Sequence, residues 1–348
     1  MGTAMSSSAR QGGYRAKLRA LVREHFGVDG ASVDAGSVDV EPGGFPGGAT
    51  LRLGPRGWVL AGGESARSLG GALAWARQFE VSDLHVLVDD ADAAGAMARQ
   101  AQAFAAPPMV WRVDGRALVP VSAAELVPER SLPSAAEPFR ALFADAGADP
   151  VAEDGLLLAE VLGLEVARVG ADGALEVGVG KHDREAQKLM HPDVQPFDAL
   201  VAAVEAVREL RTPDAPTHPM NQLAAARWLR AVVCRRPELV GASGLRPVSS
   251  TLPLTDLRLP SPAAATGNDA TGDDATGDDA TGDGVTVVCS TGVDLALVPV
   301  AADVRLRHPG RLVLVVPEID AHPVTHSLAA ALREPATVVT VPADWRRL

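Results

Sequence analysis

The stretch VTVVCSTGVDLALVPVAADVRLRHPGRLVLVVP, residues 285–317, decides the fold of the C-terminal part of the chain. The runs VTVVC and LVLVVP are short, apolar and rich in β-branched residues, as buried strands are, and the segment DLALVPVAADVRL between them is long enough for a helix. The helical segment HPVTHSLAAAL and the strand-like run ATVVTV follow. Such alternation is typical of a parallel sheet, so we predict a βαβαβ lobe over residues 285–348.

The N-terminal part of the chain has the same order of segments. The helical YRAKLRALVREHF comes first, and two short strands around Leu51 and Val59 follow. Next come the helical ARSLGGALAWARQF, the strand-like LHVLVDD, the helical AGAMARQAQAF and the strand-like MVWRV. We therefore predict an α/β protein with two similar Rossmann-like lobes and mainly parallel sheets, the first over residues 14–121. Three strand positions recur at a constant offset of 228 residues: Val59, Leu84 and Val110 correspond to Val287, Leu312 and Val338.

Two different segments separate the lobes. Residues 137–240 predict a middle α+β unit, in which a helix leads into the long hairpin LLLAEVLGLEVARV–GADG–ALEVGVG and further helices follow. If this hairpin turns at GADG, Ala167 lies opposite Glu176. Residues 241–284 are rich in Pro, Ser and Gly and end in five-residue repeats such as ATGDD. Because such repeats cannot bury enough surface to offset chain entropy, this segment predicts a flexible linker.

The composition is that of a soluble globular protein, with 47% hydrophobic and 22% charged residues among 348. A net charge of −12 argues against a general binder of nucleic acid or of acidic membranes, because such proteins need a basic surface. Cys234 and Cys289 lie in apolar surroundings and favour buried free thiols over a disulfide or a zinc site. The N-terminal residues predict no signal peptide and no stretch has the length of a membrane span, so we expect a cytoplasmic protein.

The main candidate site lies where two strands of the C-terminal lobe end. Parallel α/β sheets bind ligands beyond the carboxyl ends of their strands. Ser290, Thr291 and Gly292 follow the first strand and precede a helix, so their hydroxyl and N–H groups suit an anion. We predict a small anionic or nucleotide-like ligand here. Four further polar residues are expected beside it: Asp294, Glu318, Asp320 and His322.

The same loops allow two other interpretations. Asp320, His322 and His326 form a candidate metal site, since the two histidines share a helical face if the helix begins early enough. Alternatively, Ser290 or Thr291, together with Asp320, are helix N-caps. In the N-terminal lobe the loop AGGES resembles a phosphate-binding turn, with a tight turn and an N-cap as the alternative.

Paired acids in the middle hairpin give a second candidate site. Glu165 and Glu176 are predicted on one face of the hairpin, where they repel each other unless they are exposed, protonated, or bridged by a cation or an arginine. An exposed hairpin face is the alternative to a functional site.

The helix, the hairpin, the paired acids and the following GKHDRE resemble the core of the PD-(D/E)xK nucleases. This resemblance implies that the two glutamates hold a divalent metal ion and activate water. Phosphodiester cleavage with Mg²⁺ or Mn²⁺ would also need a third ligand, such as Asp154 or Asp183, and a Lys or Arg to stabilise the developing charge. The lysine of the family falls on Gly178 in this chain, and Lys181 lies beyond it.

A run of arginines completes the candidates. Arg227, Arg230, Arg235 and Arg236 lie on or just after the helical segment RWLRAVVCRRPE, as either a contact strip for phosphates or a solvated helix face. Because no catalytic set is complete, the sequence predicts a non-catalytic binding or regulatory protein, and a metal-dependent nuclease-like activity is the alternative. A protein partner is compatible with a binding or regulatory protein, and nucleic acid is expected as a partner only for the nuclease-like alternative. No binding to a membrane is expected.

Overall fold

The structure is a computed structural model that describes residues 7–28, 48–62, 67–190, 195–215, 217–252, 254, 256–270 and 284–348. The chain divides into two compact units, Met1–Leu126 with Pro323–Pro335, and Val127–His322 with Ala336–Leu348. None of the helices in the described ranges has both the length and the apolar character needed to cross a membrane.

Helices and strands alternate along most of the described chain. The first part contains α1 (Ser7–Phe26), β1 (Gly48–Leu53), β2 (Arg56–Ala61), α2 (Ser68–Gln78), β3 (Asp83–Val88), α3 (Ala91–Gln102), β4 (Met109–Asp114) and β5 (Ala117–Pro120). The middle contains α4 (Phe139–Asp145), β6 (Asp149–Glu153), β7 (Leu156–Val161), β8 (Leu164–Val169), β9 (Leu175–Val177), α5 (Gly180–Met190), α6 (Pro196–Leu210), α7 (Pro219–Gln222) and α8 (Ala225–Arg235). The last part contains β10 (Ala242–Val248), β11 (Ala263–Asp269), β12 (Gly284–Cys289), α9 (Leu297–Arg307), β13 (Arg311–Pro317), α10 (Pro323–Ala330) and β14 (Thr337–Val341).

The first unit contains a five-stranded sheet in the order β1-β2-β3-β4-β5. Strands β2, β3 and β4 are parallel and form the predicted βαβαβ arrangement with α2 and α3. Strands β1 and β5 join the edges in antiparallel pairs, so the sheet is mixed and not mainly parallel as predicted. Leu18, Leu21 and Val22 of α1 are buried in one core cluster with Trp58 and Trp111. Helix α10 packs against α2 in this unit, and Arg77 Nη1 donates to Ser327 Oγ at 2.8 Å.

The second unit contains another five-stranded sheet, in the order β10-β11-β12-β13-β14. Strands β12, β13 and β14 are parallel, whereas β10, β11 and β12 pair antiparallel, so this sheet is mixed as well. Its parallel strands begin at residues 284, 311 and 337, which is 228 residues after the starts of β2, β3 and β4 at 56, 83 and 109. The predicted spacing of three strands therefore recurs in the structure.

Part of the predicted linker is regular structure. Strands β10 and β11 lie within residues 241–284; they pair with each other, with a register shift between Ala242 and Gly244, and β11 pairs with β12. The small residues of β11 are buried at Ala263, Ala264 and Ala265, which explains why this strand carries little of the apolar pattern of the other strands. The remainder of the five-residue repeats, residues 271–283, lies outside the described residues.

The middle of the chain forms a four-stranded antiparallel sheet in the order β6-β7-β8-β9. The segment predicted as one long strand of a hairpin is two strands, β7 and β8, joined at Leu162 and Gly163. Both turn residues have positive φ, 48° and 74°, as a tight hairpin requires. Leucine is an unusual residue at such a φ, and the turn was therefore missed. Glu176 pairs with Arg168 instead of Ala167, one residue away from the predicted register.

Helix α8 connects the two sheets of the second unit. Trp228, Leu229 and Val233 of this helix are buried with β12 and β13 in one core cluster. On the other side, the β7–β8 turn approaches the helix so closely that a Cβ built on Gly163 would lie 2.3 Å from the carbonyl carbon of Arg227. The arginines of α8 are thus fixed between the two sheets.

Candidate anion-binding cleft

The predicted site at the strand ends of the C-terminal lobe is closed by its own hydrogen bonds. Ser290 is buried and its Oγ donates to Asp294 Oδ2 at 2.8 Å, while Asp294 Oδ1 accepts from Ala296 N at 3.0 Å. Gly292 N donates to Asp320 Oδ2 at 2.7 Å. The carboxylate of Asp320 therefore occupies the backbone N–H that was expected to hold an anion.

The remaining residues of that prediction do not gather into a metal site. Glu318 is exposed at the start of a short 3₁₀ turn, and His322 lies directly before α10, which begins at Pro323. His326 is inside α10, so the two histidines do not share the helical face that was predicted. Within the ranges that the structure describes, no group of three His, Cys, Asp or Glu side chains is placed to hold a metal ion. The loop AGGES of the N-terminal lobe lies outside the described residues apart from its first two positions.

The paired acids of the middle unit are bridged by an arginine, which is one of the alternatives predicted for them. Arg184 Nη1 donates to Glu165 Oε1 at 2.9 Å, and Arg184 Nε lies 3.8 Å from Glu176 Oε2. Arg168 also donates to both carboxylate oxygens of Glu165, at 2.6 and 2.9 Å. Two guanidinium groups thus neutralise Glu165.

The other two residues of this candidate site begin helix α5. Asp183 Oδ2 accepts from Val179 N at 2.7 Å and satisfies a backbone donor ahead of the helix. Lys181 is 79% exposed, with its Nζ 3.8 Å from Glu185 Oε1. Lys181, Glu165 and Arg184 line the same cavity, whereas Asp183 does not.

This cavity, which we call the main cavity, lies in the second unit and has a volume of about 430 Å³. That volume is within the usual range of small-molecule sites, about 300–1,000 Å³. Its apolar wall includes Leu156, Leu158 and Leu252, and its hydroxyl-bearing residues are Ser249, Ser250, Thr251 and Ser261. Its charged residues are Glu153, Asp154, Glu165, Arg168, Lys181, Arg184, Arg227, Arg230 and Arg307.

A buried network of two acids and two arginines adjoins the main cavity, which is lined by three of its four members, Glu153, Arg227 and Arg230. Arg230 Nη1 donates to Glu153 Oε1 at 2.6 Å, and Arg230 Nη2 donates to Glu160 Oε2 at 2.6 Å. Arg227 donates to the same two carboxylates, to Glu160 Oε1 at 3.2 Å and to Glu153 Oε2. The side chains of Arg230 and Glu160 are only 1% and 2% exposed. The network is neutral as a whole and holds both arginines in fixed positions.

The network keeps Glu153 and Arg230 charged although they are buried. Burial alone would raise the pKa of Glu153, but the charges of Arg227 and Arg230 and their hydrogen bonds lower it below its ordinary value. Burial likewise acts to lower the pKa of Arg230, and Glu160 and Glu153 more than reverse this effect. The pKa of Asp154 is lowered chiefly by the hydrogen bond from Arg130. Glu153, Asp154 and Arg230 are therefore charged at neutral pH.

Several residues that line the main cavity have a buried polar atom without a partner. Within the described part of the chain, the buried atoms Thr251 Oγ1, Ser261 Oγ, Arg230 Nε and Arg307 Nε have no hydrogen-bond partner. An unsatisfied buried donor costs about 1–3 kcal/mol, so such groups usually mark a place where water, an ion or a ligand binds. The unpaired groups here are guanidinium N–H and hydroxyl groups, which are donors to an anion.

Three residues of the main cavity also line a second, smaller cavity of about 260 Å³: Arg227, Leu254 and Ser261. The smaller cavity is lined in addition by Thr291, Gly292 and Asp320 from the predicted strand-end site, and by Arg258 and Arg346. We call the two adjoining cavities the cleft. The cleft therefore contains part of the predicted anion site, although its basic residues come from other segments.

Sequence analysis missed most of the cleft. The sequence predicts that Arg227 and Arg230 form either a contact strip for phosphates or a solvated helix face, whereas Arg230 is almost completely buried. Thr251 and Ser261 lie in the segment interpreted as a linker. Comparisons with protein-family models, with curated proteins and with solved structures gave no match for this chain. Its function is therefore argued from the residues of the cleft alone.

Proposed function

We propose that the second unit binds a small phosphate-bearing anion in the cleft and that it acts as a binding or regulatory protein and not as an enzyme. The observation that carries this proposal is the charge of the main cavity. Six basic and three acidic residues line it, in a chain whose net charge is −12. Arg227 and Arg230 are balanced by Glu153 and Glu160 in the neutral network, so the excess of positive charge comes from the other basic residues, Arg168, Lys181, Arg184 and Arg307, beside the acids Asp154 and Glu165. A partly apolar cavity with such an excess, in an acidic protein, favours an anionic ligand with an apolar or neutral part.

The chemistry of the donors favours phosphate. Guanidinium groups present several N–H donors in a plane and bind phosphate oxygens in pairs, and hydroxyl groups add further donors. Arg307 is a suitable contact because its Nη2 is held by the carbonyl of Val127 at 3.0 Å while its Nε has no partner among the described residues. The unpaired hydroxyl groups of Thr251 and Ser261 support the same interpretation.

Binding is favoured over hydrolysis because each acid that lines the main cavity already has an arginine partner. Glu153 pairs with Arg227 and Arg230, and Asp154 pairs with Arg130 at 2.7 Å. Glu165 pairs with two arginines in the same way. A carboxylate held in such pairs is a weak base, and a metal ion would have to displace the guanidinium groups before it could bind.

A thermal-shift screen tests the proposal. Inorganic phosphate, sugar phosphates and nucleotides are screened at fixed ionic strength. We expect at least one of them to raise the Tm of the protein. A ligand at 100 times its Kd stabilises by about 2.7 kcal/mol. Arg307→Gln removes a cavity charge that is not part of the buried network and should abolish most of the shift. Arg116→Gln, an exposed arginine of the first unit, is the matched control and should keep it.

A second assay separates binding from the nuclease-like alternative. The wild type and Glu176→Gln are incubated with DNA and RNA in the presence of Mg²⁺ or Mn²⁺. The proposal predicts no metal-dependent cleavage by either protein. Cleavage by the wild type that is lost in Glu176→Gln would overturn it in favour of the alternative site at Glu165 and Glu176.

A further inference from the structure

The two cavities of the cleft differ in where their charge lies. The main cavity has Arg307, which lines this cavity and not the smaller one and belongs neither to the buried network nor to the ion pairs of Glu165. The smaller cavity has Arg258 and Arg346. The cleft thus has a separate basic group in each of its two cavities.

The wall shared by the cavities is electrically neutral. Arg227 is the charged member of this wall, and its terminal nitrogens are engaged by Glu153 and Glu160 in the buried network. The other shared residues are Leu254 and Ser261, an apolar side chain and a hydroxyl. A ligand that crosses this wall would meet apolar surface and one hydroxyl between two cationic regions.

Aromatic contacts hold the guanidinium of Arg346 in place at the smaller cavity. The guanidinium of Arg346 stacks on Trp345 and Trp228, with centroid distances of 4.4 and 5.4 Å. Its Nε is buried and has no hydrogen-bond partner in the described ranges. Burial lowers the pKa of Arg346, and Asp320 acts in the opposite direction. Asp320 itself already accepts a hydrogen bond from Gly292 N. An anion in the smaller cavity would relieve the cost of this unsatisfied, partly buried cation.

We propose that the ligand carries two phosphate groups separated by a neutral, hydroxyl-bearing spacer, with one phosphate in each cavity and the spacer across Arg227, Leu254 and Ser261. This inference rests on the proposed anion-binding function and specifies the class of ligand. Phosphorylated sugars or polyols with two separated phosphates belong to this class. An unbroken polyphosphate does not, because it would place negative charge against the neutral wall.

Isothermal titration calorimetry at fixed ionic strength tests the inference with three probes: a hexose monophosphate, a hexose 1,6-bisphosphate and tripolyphosphate. The second phosphate adds an intramolecular contact, so the bisphosphate should bind the wild type at least about tenfold more tightly than the monophosphate. It should also bind more tightly than tripolyphosphate. Equal affinity for the two hexose phosphates, or stronger binding of tripolyphosphate, would overturn the inference.

Variants locate the second phosphate. Arg258→Gln, at an exposed residue, and Arg346→Gln should each reduce the advantage of the bisphosphate to below about threefold and leave the Kd of the monophosphate nearly unchanged. Arg307→Gln should weaken the binding of both sugar phosphates. The control Arg116→Gln should leave the binding of both unchanged. If Arg258→Gln and Arg346→Gln leave the advantage intact, the smaller cavity is not the second subsite.

The two proposals fail in different ways. If none of the probes binds the wild type, the proposed function fails and the inference fails with it. If the monophosphate binds and Arg307→Gln weakens it, while the bisphosphate gains nothing, only the two-phosphate inference fails.

Discussion

Arg230 is the residue on which the buried network depends. It bonds to both Glu153 and Glu160 and is 1% exposed. Its removal would leave two buried carboxylates with Arg227 as their remaining partner in the network. Removing one partner from a buried ion pair typically costs about 3–5 kcal/mol, far more than the pair itself contributes.

We therefore expect Arg230→Met to lower the free energy of unfolding of the second unit by about 3–5 kcal/mol in urea titrations. Arg235→Met is the matched control, on the same helix. Arg235 pairs with Asp149 at 2.7 Å, but both side chains are about half exposed, so its loss should cost less than about 1 kcal/mol. Similar losses for the two variants would show that burial of the network contributes little.

The lowered pKa of Glu153 predicts how stability changes with pH. A carboxyl whose pKa is lower in the folded than in the unfolded protein contributes stability above its unfolded pKa of about 4.5 and loses it as the pH falls through the folded value. The difference in unfolding free energy between wild type and Glu153→Gln should thus be constant near neutral pH and shrink below about pH 4.5. Urea titrations over the acid range measure it. A difference that grows on acidification would contradict the assigned ion pairs.

Arginine is seldom fully buried, and for this reason Arg230 could not be placed from the sequence. Its acidic partners lie 70 and 77 residues earlier, on β7 and β6. Nothing in the spacing of RWLRAVVCR indicates that these acids meet it. The bridging of Glu165 and Glu176 by an arginine was foreseeable as an alternative, because two nearby acids need a counter-charge.

At the scale of elements, the β7–β8 turn fixes α8 and with it Arg227. Gly163 has a φ of 74° and its Cα faces the backbone of Arg227 and Trp228. We expect Gly163→Ala to destabilise the second unit and to weaken anion binding, since the added Cβ would lie 2.3–2.4 Å from backbone atoms of α8. Chemical denaturation and titration with the best phosphate ligand measure the two effects.

Gly173→Ala provides the matched control for this turn. Gly173 has nearly the same φ, 70°, but a Cβ there would meet only Ala135 Cβ at 3.6 Å, an ordinary contact. The cost of positive φ, about 1 kcal/mol, is common to both variants. Equal destabilisation by both would show that the turn does not position the helix by close packing.

Elements were predictable where apolar residues recur with a regular period. The runs around Val59, Leu84, Val287 and Leu312 are strands because buried parallel strands are continuously apolar. Strand β11 could not be predicted because its residues are small and polar. The β7–β8 turn could not be predicted because Leu162, one of its two residues, is an unusual residue at a positive φ. Antiparallel edge strands carry a weaker pattern than buried parallel strands, so both sheets were expected to be more parallel than they are.

At the scale of the whole molecule, the account depends on a contrast of charge. The chain is acidic, with a net charge of −12, while the main cavity collects six basic and three acidic residues. The basic residues come from the middle sheet, from α5 and α8, and from α9, which are distant in sequence. Such a cluster of basic residues forms only on folding, so it cannot be predicted from the overall composition.

Arginine footprinting tests the central claim, that an anion binds in this cleft, most directly. The protein is treated with phenylglyoxal, which modifies accessible guanidinium groups, with and without the phosphate ligand that gives the largest thermal shift. Modified sites are then mapped by mass spectrometry. Arg307 and Arg258, which line the two cavities, should be modified more slowly when the ligand is present, and Arg116 should react at the same rate in both samples. Unchanged rates at Arg307 and Arg258 under conditions where the ligand stabilises the protein would place the anion elsewhere and contradict the account.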